Sequence, residues 1–572
     1  MAVHKKDVIK LLEEMALYLE IKGENPFRIN AYRRAAQSLE RDERSLAEID
    51  DFTKLKGIGQ GTNEVIKEFV EQGVSTPLTK LKEEIPQGLM ALLKLPGLGG
   101  KRIAALYQQL GITDIETLKE ACENGDVEKL SGFGKKSVQN ILTAIEEKNK
   151  RPERLPIDVM LTAVCHIEAF LDDVIEIEQY SRAGSLRRMK ETIKDIDFIV
   201  ATKDPKAVRK QILRLENIKD VIAKGDTKVS VTIADEYDIN VDFRLVEPKA
   251  FATSLHHFTG STEHNISMRQ LAKKRGEKIS EYGVEKEDTG EVLTFQTEEA
   301  FFNHFNLHYI PPELRENIGE IEAFKHPVDL ITLRDIRGDL HVHTTWSDGA
   351  QSIEEMIQDA QKRGYEYIAI TDHSKFLRVA NGLNEKRLRR QRDEIDRLNK
   401  KYPDIHIFAG IEMDILPDGQ LDFADDLLRE MDIVIASIHS GFNQTKDKIM
   451  TRLKMALENP YVDMIAHPTG RLIGRRNGYD VDVEALLKMA QETNTAIEIN
   501  ANPNRLDLSP QWIERAHELG VLLAINTDAH SFEMFDHMSH GVRVAKKGWS
   551  CKKNIINTWS KKALQNFLQR NQ

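Results

Sequence analysis

Residues 341–349 read HVHTTWSDG and directly follow the segment LRDIRGDL (333–340), which is predicted to be a strand. His341 and His343 stand two residues apart, and Asp348 comes five residues after His343. Histidine and aspartate side chains are common ligands of divalent transition metals. The end of this strand therefore offers three candidate ligands, and it predicts a metal site if later strands end in the same way.

The chain beyond residue 337 alternates between short apolar strands and polar helices. The predicted helices include 352–363, 384–400 and 482–493, and the predicted strands include YIAIT, IHIFAG, DIVIASI, YVDMIA, TAIEIN and VLLAIN. Repeated alternation of this kind is typical of a parallel sheet, and the number of units predicts a barrel. Because the carboxyl ends of parallel barrel strands open onto one face, side chains at those ends can meet in one cleft.

Histidines and carboxylates concentrate at these predicted strand ends. Six of the ten histidines beyond residue 337 lie there, and the other four stay unassigned: His406, His517, His537 and His540. Any one of the six is more simply explained as a core or loop residue, but their joint pattern favours a shared site. A mixed His, Asp and Glu set suits Zn²⁺, Mn²⁺ or Fe²⁺. The six histidines with three carboxylates make nine candidate ligands, which would suit about three ions. The strand TAIEIN is the exception, because it leads only to Asn500 and Asn502.

The motifs HVHTTWSDG, TDH, GIEMD, SIH, AHPTG and NTDAH resemble those of the PHP (polymerase and histidinol phosphatase) family, over residues 338–572. The resemblance implies a distorted (β/α)7-type barrel and a metal-dependent phosphoesterase site with up to three divalent ions, Mn²⁺, Zn²⁺ or Fe²⁺. Glu412 is the implied bridging carboxylate, and Asp372 is expected to orient its neighbour. The implied metal ligands are His341, His343, Asp348, His373, Glu412, His439, His467, Asp528 and His530.

The first 150 residues are predicted to be short helices joined by glycine turns. The pattern apolar-Gly-apolar-Gly before a helix occurs in residues 55–69, 95–107 and 130–142. Glycines permit a tight turn, and the N–H groups at a helix start favour an anion such as a DNA phosphate. One copy would be an ordinary glycine cap, but three copies favour helix-hairpin-helix binding of the DNA backbone without sequence specificity. The candidate DNA-binding residues are Gly57, Gly59, Gly97, Gly99, Lys101, Gly132 and Gly134, with further charge from Arg102, Lys135 and Lys136.

Residues 183–200, AGSLRRMKETIKDIDFIV, combine a Gly-Ser turn with two aspartates on a predicted strand. Asp195 and Asp197 would face the same side of that strand, and Asp242 lies on a later predicted strand, in YDINVDFRLV. Carboxylates on one face repel each other unless a divalent cation lies between them. An exposed acidic strand is the simpler explanation of the aspartate pair alone. The third carboxylate and the Gly-Ser turn favour a site for two ions, Mg²⁺ or Mn²⁺.

Residues 1–315 resemble the family X DNA polymerases, as an ordered set of separate motifs. The segments RLP (154–156), GSLRR (184–188) and HFTGSTEHNISMR (257–269) are similar to the segments with which that family contacts the incoming nucleotide. The resemblance implies that Asp195, Asp197 and Asp242 catalyse template-directed addition of dNTPs to a primer 3′-hydroxyl. The implied nucleotide contacts are Arg154, Gly184, Ser185, Arg188, Phe258, Gly260, Asn265 and Arg269, of which Arg269 reaches the template strand.

Two positions depart from the family pattern. His257 replaces the tyrosine that precedes Phe-Thr-Gly-Ser, which leaves the rejection of ribonucleotides open. Val65 stands where the family has a Schiff-base lysine that removes a 5′-deoxyribose phosphate. Lys67 is close in sequence but lies on a different helix face. We therefore predict that the usual lyase activity is missing, while a downstream 5′-phosphate is still bound.

The two resemblances together imply a DNA repair enzyme, a family X polymerase fused to a C-terminal PHP domain. It would fill gaps in gapped or primed double-stranded DNA with a 5′-phosphate, and its PHP domain would act as a 3′-5′ exonuclease and cleave abasic sites. Two alternatives stay open: a small-molecule phosphoesterase of the histidinol-phosphatase type that is docked on DNA, and a non-catalytic DNA-binding scaffold. The predicted domains are two helix-hairpin-helix regions (1–85 and 86–150), an α+β nucleotidyltransferase palm (151–246), a nucleotide-selecting subdomain (247–315), a linker (316–337) and the PHP domain (338–572).

The amino-acid composition limits the number of domains, the expected location and the kind of DNA-binding surface. The 572 residues are too many for one hydrophobic core, and 40% hydrophobic and 30% charged residues suit several globular domains. No apolar stretch approaches the length of a membrane span, and Cys122, Cys165 and Cys551 give no disulfide framework, so we expect a cytoplasmic protein. With a net charge of −11, any DNA-binding surface must be a local basic patch. No obligate protein partner is expected.

Overall fold

The computed structural model describes residues 3, 5–42, 46, 49, 51–93, 95, 97–149 and 152–569. The chain forms two compact units. The first comprises Met1–Arg151, His343–Met356 and Asp372–Leu398, and the second comprises Pro152–Val342, Ile357–Thr371 and Asn399–Gln572. The predicted domain boundary between residues 150 and 151 lies outside the described residues.

The front of the first unit is helical, as its glycine-spaced pattern predicts. Its helices are α1 (Lys5–Lys22), α2 (Pro26–Arg41), α3 (Gln60–Gln72), α4 (Thr76–Glu84), α5 (Gly88–Leu92), α6 (Gly100–Leu110), α7 (Ile115–Glu123) and α8 (Lys135–Asn149). In α1, Val8, Leu12, Met15 and Leu19 recur at helical spacing and all are buried. Such a stripe packs one helix against its neighbours and leaves the opposite face polar.

The second unit begins with an α+β part. Its elements are β1 (Leu155–Pro156), α9 (Ile157–Asp172), β2 (Gln179–Arg182), α10 (Gly184–Arg187), β3 (Thr192–Ile193), β4 (Ile196–Ala201), α11 (Pro205–Ile212), β5 (Ile218–Lys224), β6 (Lys228–Ala234) and β7 (Asp238–Val246). The main sheet has the order β2-β4-β7-β6-β5, in which β4 and β7 are parallel. Buried and half-buried residues alternate along β7, because one face of the sheet is packed and the other carries polar groups.

The next part surrounds a small three-stranded sheet that the sequence analysis did not predict. Its elements are α12 (Phe251–Thr259), α13 (Thr262–Lys273), β8 (Glu277–Ser280), β9 (Gly283–Lys286), β10 (Val292–Leu293) and α14 (Glu298–His304). The strands are antiparallel, in the order β10-β9-β8. They have four, four and two residues, which is too short for a clear alternating pattern.

A buried ion-pair network joins α14 to α10. Glu298 accepts hydrogen bonds from Arg187 Nη2 and Arg315 Nη1, each at 2.6 Å. Burial alone would raise the pKa of Glu298, but the charges of Arg315 and Arg187 outweigh it and lower this pKa from 4.5 to about 2. Because the folded-state pKa lies below the unfolded one, the network stabilises the fold above pH 4.5. That stabilisation is lost as the pH falls towards about 2.

Glu298→Gln is expected to lower the free energy of unfolding at pH 7 by about 3 kcal/mol, because it leaves buried Arg315 without its charged partner. Urea unfolding followed by circular dichroism measures the loss, and the deficit relative to wild type should narrow below about pH 4.5. Glu299→Gln, at the exposed neighbouring position, is the control and should cost less than about 0.5 kcal/mol. Equal effects of the two substitutions would contradict the role of the network.

The segment 316–337, predicted to be a tethering linker, is packed into the second unit. It contains α15 (Glu320–Ala323), and the side chains of Glu320, Phe324 and Ile331 are buried. Glu320 Oε1 lies 2.6 Å from His264 Nδ1, and the backbone N–H of Ile331 donates to the Ser550 carbonyl at 2.9 Å. Pro311 and Pro312, just before the segment, and Gly319, near its start, serve turns in a fixed connection, although the same composition is typical of a loose linker.

The C-terminal part contains a seven-stranded parallel sheet. Its strands, which neighbour one another in chain order, are β11 (Gly338–Val342), β12 (Tyr367–Ile370), β13 (His406–Asp414), β14 (Ile433–Ser437), β15 (Met464–Ile465), β16 (Ala496–Asn500) and β17 (Leu523–Asn526). A parallel bridge between Val342 and Ala529 joins the ends of the first and last strands, so the sheet is nearly closed. Every residue of β11, β12, β14 and β16 is buried, as expected of parallel strands covered on both faces. The predicted barrel is confirmed.

Helices alternate with these strands. They are α16 (Ile353–Lys362), α17 (Glu385–Lys401), α18 (Asp425–Leu428), α19 (Lys446–Leu457), α20 (Val483–Thr493), α21 (Pro510–Leu519), α22 (Met538–Lys547) and α23 (Lys561–Leu568). The three helices that the sequence predicted correspond to α16, α17 and α20, with ends that differ by at most one residue. Among the described residues, no helix has the length and apolar character needed to cross a membrane.

Candidate active sites

Asp197 and Asp242 lie on two paired strands, and Asp195 lies just before the start of one of them. Asp197 on β4 is directly opposite Asp242 on β7, and Asp195 immediately precedes β4. Asp195 Oδ1 accepts a hydrogen bond from Asn240 Nδ2 at 3.3 Å, and Asp242 Oδ1 accepts one from Ser230 Oγ at 2.6 Å. The sheet register therefore brings together three carboxylates that come from two distant segments of the chain.

The electrostatics of this aspartate cluster favour a cation. Burial, together with the negative charges of Asp242 and Asp195, raises the pKa of Asp197 from 3.8 to about 6. Lys228 Nζ lies 2.7 Å from Asp242 Oδ2 and neutralises part of the negative charge of the cluster. Carboxylate oxygens are the ligands that Mg²⁺ and Mn²⁺ prefer, so the donor set fits a divalent ion.

The Gly-Ser turn runs closely against the same cluster. Gly184 has φ +58°, and a Cβ atom there would lie 2.2 Å from Asp197 Oδ2, so no larger residue fits. The backbone just before the turn donates a hydrogen bond to the Asp197 carbonyl at 2.8 Å. Ser185 is therefore fixed to the strand that carries Asp197. Gly260 is packed in a similar way, since a Cβ atom there would lie 2.9 Å from Asn265 Oδ1.

The two arginines expected to contact phosphates already have protein partners. Arg154 donates to Thr192 Oγ1 at 3.1 Å and to the Thr192 carbonyl at 2.5 Å. Arg188 donates from Nε to Glu316 Oε1 at 3.0 Å and from Nη1 to the Thr259 carbonyl at 2.7 Å. Both guanidinium planes are therefore held in one orientation, and a phosphate at Arg188 would compete with Glu316.

The segment 257–269 spans the end of α12 and most of α13. Asn265 Nδ2 donates to the His257 carbonyl at 2.7 Å. The Arg244 guanidinium lies 4.7 Å from the centre of the Phe258 ring. Arg269 is exposed on α13. Local contacts thus hold Asn265 and Phe258 in place, whereas Arg269 is accessible to a partner.

The three glycine hairpins share one backbone geometry. The first glycine of each has positive φ, and the second immediately precedes α3, α6 or α8: Gly57 and Gly59, Gly97 and Gly99, Gly132 and Gly134. A Cβ atom at Gly59, Gly99 or Gly134 would meet nothing within 4 Å, so these helix starts face open space. Gly59 and Gly99 cap their helices without a side-chain hydrogen bond, which keeps the first N–H groups available to an anion.

The basic residues of the hairpins divide into two roles. Lys101, Lys135 and Lys136 are exposed at the helix starts. Arg102, expected to add charge towards a partner, instead donates to the Gly97 carbonyl at 2.8 Å and stacks on the Phe133 ring at 5.4 Å. Arg102 therefore joins the second hairpin to the third.

In the second unit, one histidine on β11 and two that follow β14 and β15 surround Glu412 on β13. Glu412 Oε1 lies 3.2 Å from His439 Nε2 and 3.0 Å from His467 Nε2, and Oε2 lies 3.5 Å from His341 Nε2. Burial would lower the pKa of His439, but the charges of Glu412 and Asp414 outweigh it and raise this pKa to about 10. The same negative charge that raises the pKa of His439 would also attract a metal cation.

The ligand candidates on the loops after β11 and β12 belong to the first unit. His373 Nε2 lies 3.6 Å from Asp348 Oδ1, and the rings of His343 and His373 are 4.4 Å apart. Asp372 accepts hydrogen bonds from the backbone N–H of Thr344 at 2.8 Å and from its hydroxyl at 2.7 Å. Asp372, expected to orient its neighbour His373, therefore also fixes the loop that carries His343 and Asp348.

Within each unit, candidate ligand atoms lie within 4.8 Å of one another and could contribute to metal binding. In the first unit they belong to His343, Asp348 and His373. In the second unit they belong to the pairs His341 and Asp528, and Glu412 and His439. Mixed nitrogen and oxygen donors of this kind fit Zn²⁺, Mn²⁺ or Fe²⁺.

Comparisons with known proteins agree with this arrangement of parts. Family models match residues 3–75 (helix-hairpin-helix domain), 89–147 (SAM-like helix-hairpin-helix tandem), 254–316 (DNA polymerase beta thumb) and 339–502 (PHP domain). A Bacillus subtilis (strain 168) protein named DNA polymerase/3′-5′ exonuclease PolX is 57% identical over 569 residues, which cover 100% of both chains. The chain belongs to the PolX family.

Other relatives match only the back part of this PolX-family chain. A protein of Thermoanaerobacter sp. (strain X514) named as a probable phosphatase is 31% identical over 232 residues, 38% of this chain and 89% of its own. A second such protein, from Caldanaerobacter subterraneus, is 30% identical over 203 residues, 34% of this chain and 75% of its own. The PHP part of the PolX family is thus similar to proteins that are little longer than that part.

One residue of the PolX-family site that the sequence analysis missed is Glu498 on β16. Its Oε1 lies 2.7 Å from His341 Nδ1, and its Oε2 accepts from the backbone N–H of His467 at 2.7 Å. Glu498 is fully buried. The signal in the sequence was a single glutamate in the apolar strand TAIEIN, where a buried carboxylate needs a partner. Asp414 plays the same part for His439, at 3.3 Å from its Nδ1.

Glu498→Gln is expected to reduce metal affinity and 3′-5′ exonuclease activity about 10- to 100-fold, because the neutral amide no longer supports the basic imidazole of His341. Release of a 3′-terminal label, measured over a range of metal concentrations, reports both effects. Glu492→Gln, on the exposed face of α20, is the matched control. Unchanged metal dependence in Glu498→Gln would show that Glu498 has no part in the site.

Proposed function

We propose that this chain is a DNA repair polymerase that extends primer 3′ ends with dNTPs and removes 3′ nucleotides at a second metal centre. One observation carries the proposal: the chain has two distinct donor clusters. The first is the set Asp195, Asp197 and Asp242 on or beside two paired strands. The second, within the second unit, is Glu412 with the histidines around it, His341, His439 and His467. Membership of the PolX family supports both activities.

At the polymerase site, two Mg²⁺ or Mn²⁺ ions held by the three aspartates would activate the primer 3′-hydroxyl and neutralise the triphosphate. The other residues position the nucleotide. Ser185 and Arg188 would contact the β and γ phosphates from the turn that Gly184 fixes against Asp197. Arg154, whose guanidinium is held by Thr192, would contact the same triphosphate.

The sugar and base of the incoming nucleotide would be met by residues 257–269. Phe258 and Gly260 would lie beside the sugar, and Asn265 would donate to the minor-groove edge of the base. Exposed Arg269 would reach the template strand. Because Asn265 is bonded to the His257 carbonyl, the residue that departs from the family pattern lies directly beside the nucleotide-selecting amide.

At the second site, up to three divalent ions, Mn²⁺, Zn²⁺ or Fe²⁺, would supply an activated water and stabilise the charge that develops on the phosphodiester. The nine predicted ligands would hold these ions. Glu498 and Asp414 each contact one nitrogen of a histidine, which fixes its tautomer and directs the other nitrogen towards a ligand position. No side chain has to act as a covalent nucleophile.

The partners that we propose are gapped or primed double-stranded DNA with a 5′-phosphate and dNTPs, bound through the glycine hairpins and residues 254–316. Val65 is buried and Lys67 is exposed on α3, so the hairpin would bind the 5′-phosphate without the lyase reaction. Cleavage of abasic sites by the second centre, a cytoplasmic location and the lack of an obligate protein partner stay predictions.

Lys101→Gln and Lys135→Gln are expected to weaken binding of gapped DNA about equally for all sequences. Each change should also reduce the slope of log K against log salt by about one, because each lysine neutralises one phosphate. Fluorescence anisotropy between 50 and 200 mM salt measures the slope. Lys119→Gln, which removes a lysine paired with Glu123 on α7, is the control. A slope that is the same in the Lys101, Lys135 and Lys119 variants would argue against phosphate binding by the hairpins.

One experiment separates the proposed function from its alternatives. A labelled primer on gapped DNA should lengthen when dNTPs and Mg²⁺ are present, and it should shorten one nucleotide at a time with Mn²⁺ alone. The relatives named as phosphatases favour a second candidate, a small-molecule phosphoesterase. Release of inorganic phosphate from small monoesters without primer shortening would support that candidate. Binding of DNA with no reaction of any kind would support the scaffold.

A further inference from the structure

The short helix α10, which carries the Gly-Ser turn, is followed by backbone carbonyls that are bonded by α22. A helix of one turn cannot satisfy its own last carbonyls. Arg543 Nη2 donates to the Arg187 carbonyl. Lys547 Nζ donates to the Arg188 carbonyl at 3.2 Å and to the Met189 carbonyl at 3.4 Å. Two cations of α22 therefore cap the C-terminal end of this turn, where positive charge is favoured.

Both cations contact carboxylates that lie just before or at the start of the segment 316–337. Arg543 Nε donates to Glu313 Oε1 at 2.5 Å, and Glu313 is buried. Lys547 Nζ lies 3.8 Å from Glu316 Oε1. Burial, with the neighbouring positive charge of Lys190, lowers the pKa of Lys547 to about 8, so Lys547 still carries its charge at pH 7.

Glu316 connects this network to the expected phosphate contact Arg188. Glu316 Oε1 accepts from Arg188 Nε at 3.0 Å and also lies 3.0 Å from Lys190 Nζ. Lys547 is the third cation beside the same carboxylate. A carboxylate shared among three cations holds each of them less tightly than it would hold one alone. The charge of Lys547 therefore weakens the attraction of Glu316 for Arg188. The Arg188 guanidinium can then exchange Glu316 for a phosphate at a lower cost in free energy.

The helix α22, which carries these cations, packs closely against the seven-stranded sheet. Val542 and Ala545 are buried. Gly541 packs so closely that a Cβ atom there would lie 2.5 Å from Ile525 Cγ2 on β17. The positions of Arg543 and Lys547 are therefore set by the C-terminal part of the second unit, which also carries the predicted ligands Asp528 and His530.

We propose that Arg543 and Lys547 are positioning residues for the triphosphate: by capping the carbonyls of residues 187–189, they hold the turn that presents Ser185 and Arg188 to the incoming dNTP. This inference rests on the proposed polymerase function. It gives the PHP part a role in dNTP binding that is separate from its own metal chemistry.

The test compares full-length Lys547→Met and Arg543→Gln with wild type in single-nucleotide gap filling at pH 7. The KM for dNTP should rise about tenfold, because each variant loses charge-assisted hydrogen bonds to the turn. The rise should be equal for all four dNTPs, since the turn faces phosphates and not bases. The kcat, the KM for gapped DNA and the 3′-5′ exonuclease rate should change by less than about twofold. Lys547→Arg, which keeps the charge, should restore the KM for dNTP.

Lys546→Met is the matched control on the neighbouring position of α22 and should leave the KM for dNTP unchanged. An unchanged KM for dNTP in both test variants would overturn the inference. A joint fall of the polymerase and exonuclease rates with a lower thermal midpoint would also overturn it, because it would show general support of the fold. Failure of wild type to extend the primer would instead refute the proposed function, so the two failures are distinguishable.

Discussion

Asp242→Asn should reduce primer extension by about a thousandfold or more, the largest effect expected of any single change at the polymerase site. Asp242 lies opposite Asp197 across two paired strands. The asparagine has nearly the same shape and can still accept from Ser230, so the sheet should be preserved. The change removes one negative charge from a cluster whose repulsion would be relieved by divalent ions. Gap filling measured at saturating dNTP, with Mg²⁺ varied, should show lost kcat that added Mg²⁺ does not restore.

Asp238→Asn provides the control for this substitution. Asp238 begins the same strand, β7, but pairs with Lys219 at the surface, at 2.6 Å. It should leave primer extension within about twofold of wild type, since exposed ion pairs contribute little. The 3′-5′ exonuclease of Asp242→Asn should be intact. Equal primer extension by Asp242→Asn and Asp238→Asn would contradict the assignment of the three aspartates to the polymerase site.

His343→Ala should reduce 3′-5′ exonuclease activity by about a thousandfold or more while primer extension continues. His343 lies with Asp348 and His373 in one cluster of candidate ligand atoms, so its loss removes a donor from that cluster. Glu498→Gln changes a partner of His341 but leaves every predicted ligand in place, so it should cost less. Release of a 3′-terminal label without dNTPs measures activity, and the metal content of the purified protein measures binding directly.

His406→Asn is the matched control for His343→Ala. His406 is also a histidine of the barrel, but it begins β13, at the strand end opposite to Glu412 and Asp414. Its replacement should leave the exonuclease rate and the metal content unchanged. Loss of exonuclease activity with full metal content in His343→Ala would mean that His343 acts in another way than as a ligand. Full activity with reduced metal content would mean that the ion bound by His343 is not needed for the exonuclease reaction.

The barrel could be predicted from sequence because its signals are local. Each strand of the barrel is a short apolar run, each helix has its own periodicity, and chain order is also the order of strands in the sheet. The aspartates could be predicted for a similar reason, since the spacing of Asp195 and Asp197 fixes their common face. The sheet β8-β10 was missed because its strands are too short to show alternation.

The supporting contacts could not be predicted, because they join residues that are far apart in the chain. Nothing near Glu498 in the sequence indicates that it reaches His341, 157 residues earlier. The sequence predicts that Arg102 adds charge for DNA, but it does not indicate that Arg102 donates to the Gly97 carbonyl and stacks on Phe133. The segment 316–337 has the composition of a linker, yet burial of Phe324 and Ile331 makes it a fixed connection.

Residue type and spacing were enough to predict which donors this protein has, and that the candidate ligands and carboxylates stand on or beside strands. Those properties act over a few residues. The ion pairs became evident from the fold alone: Glu298 binds Arg187 and Arg315, and Lys547 shares Glu316 with Arg188. An ion pair depends on distance and burial, and both are set by packing between segments that no local pattern connects.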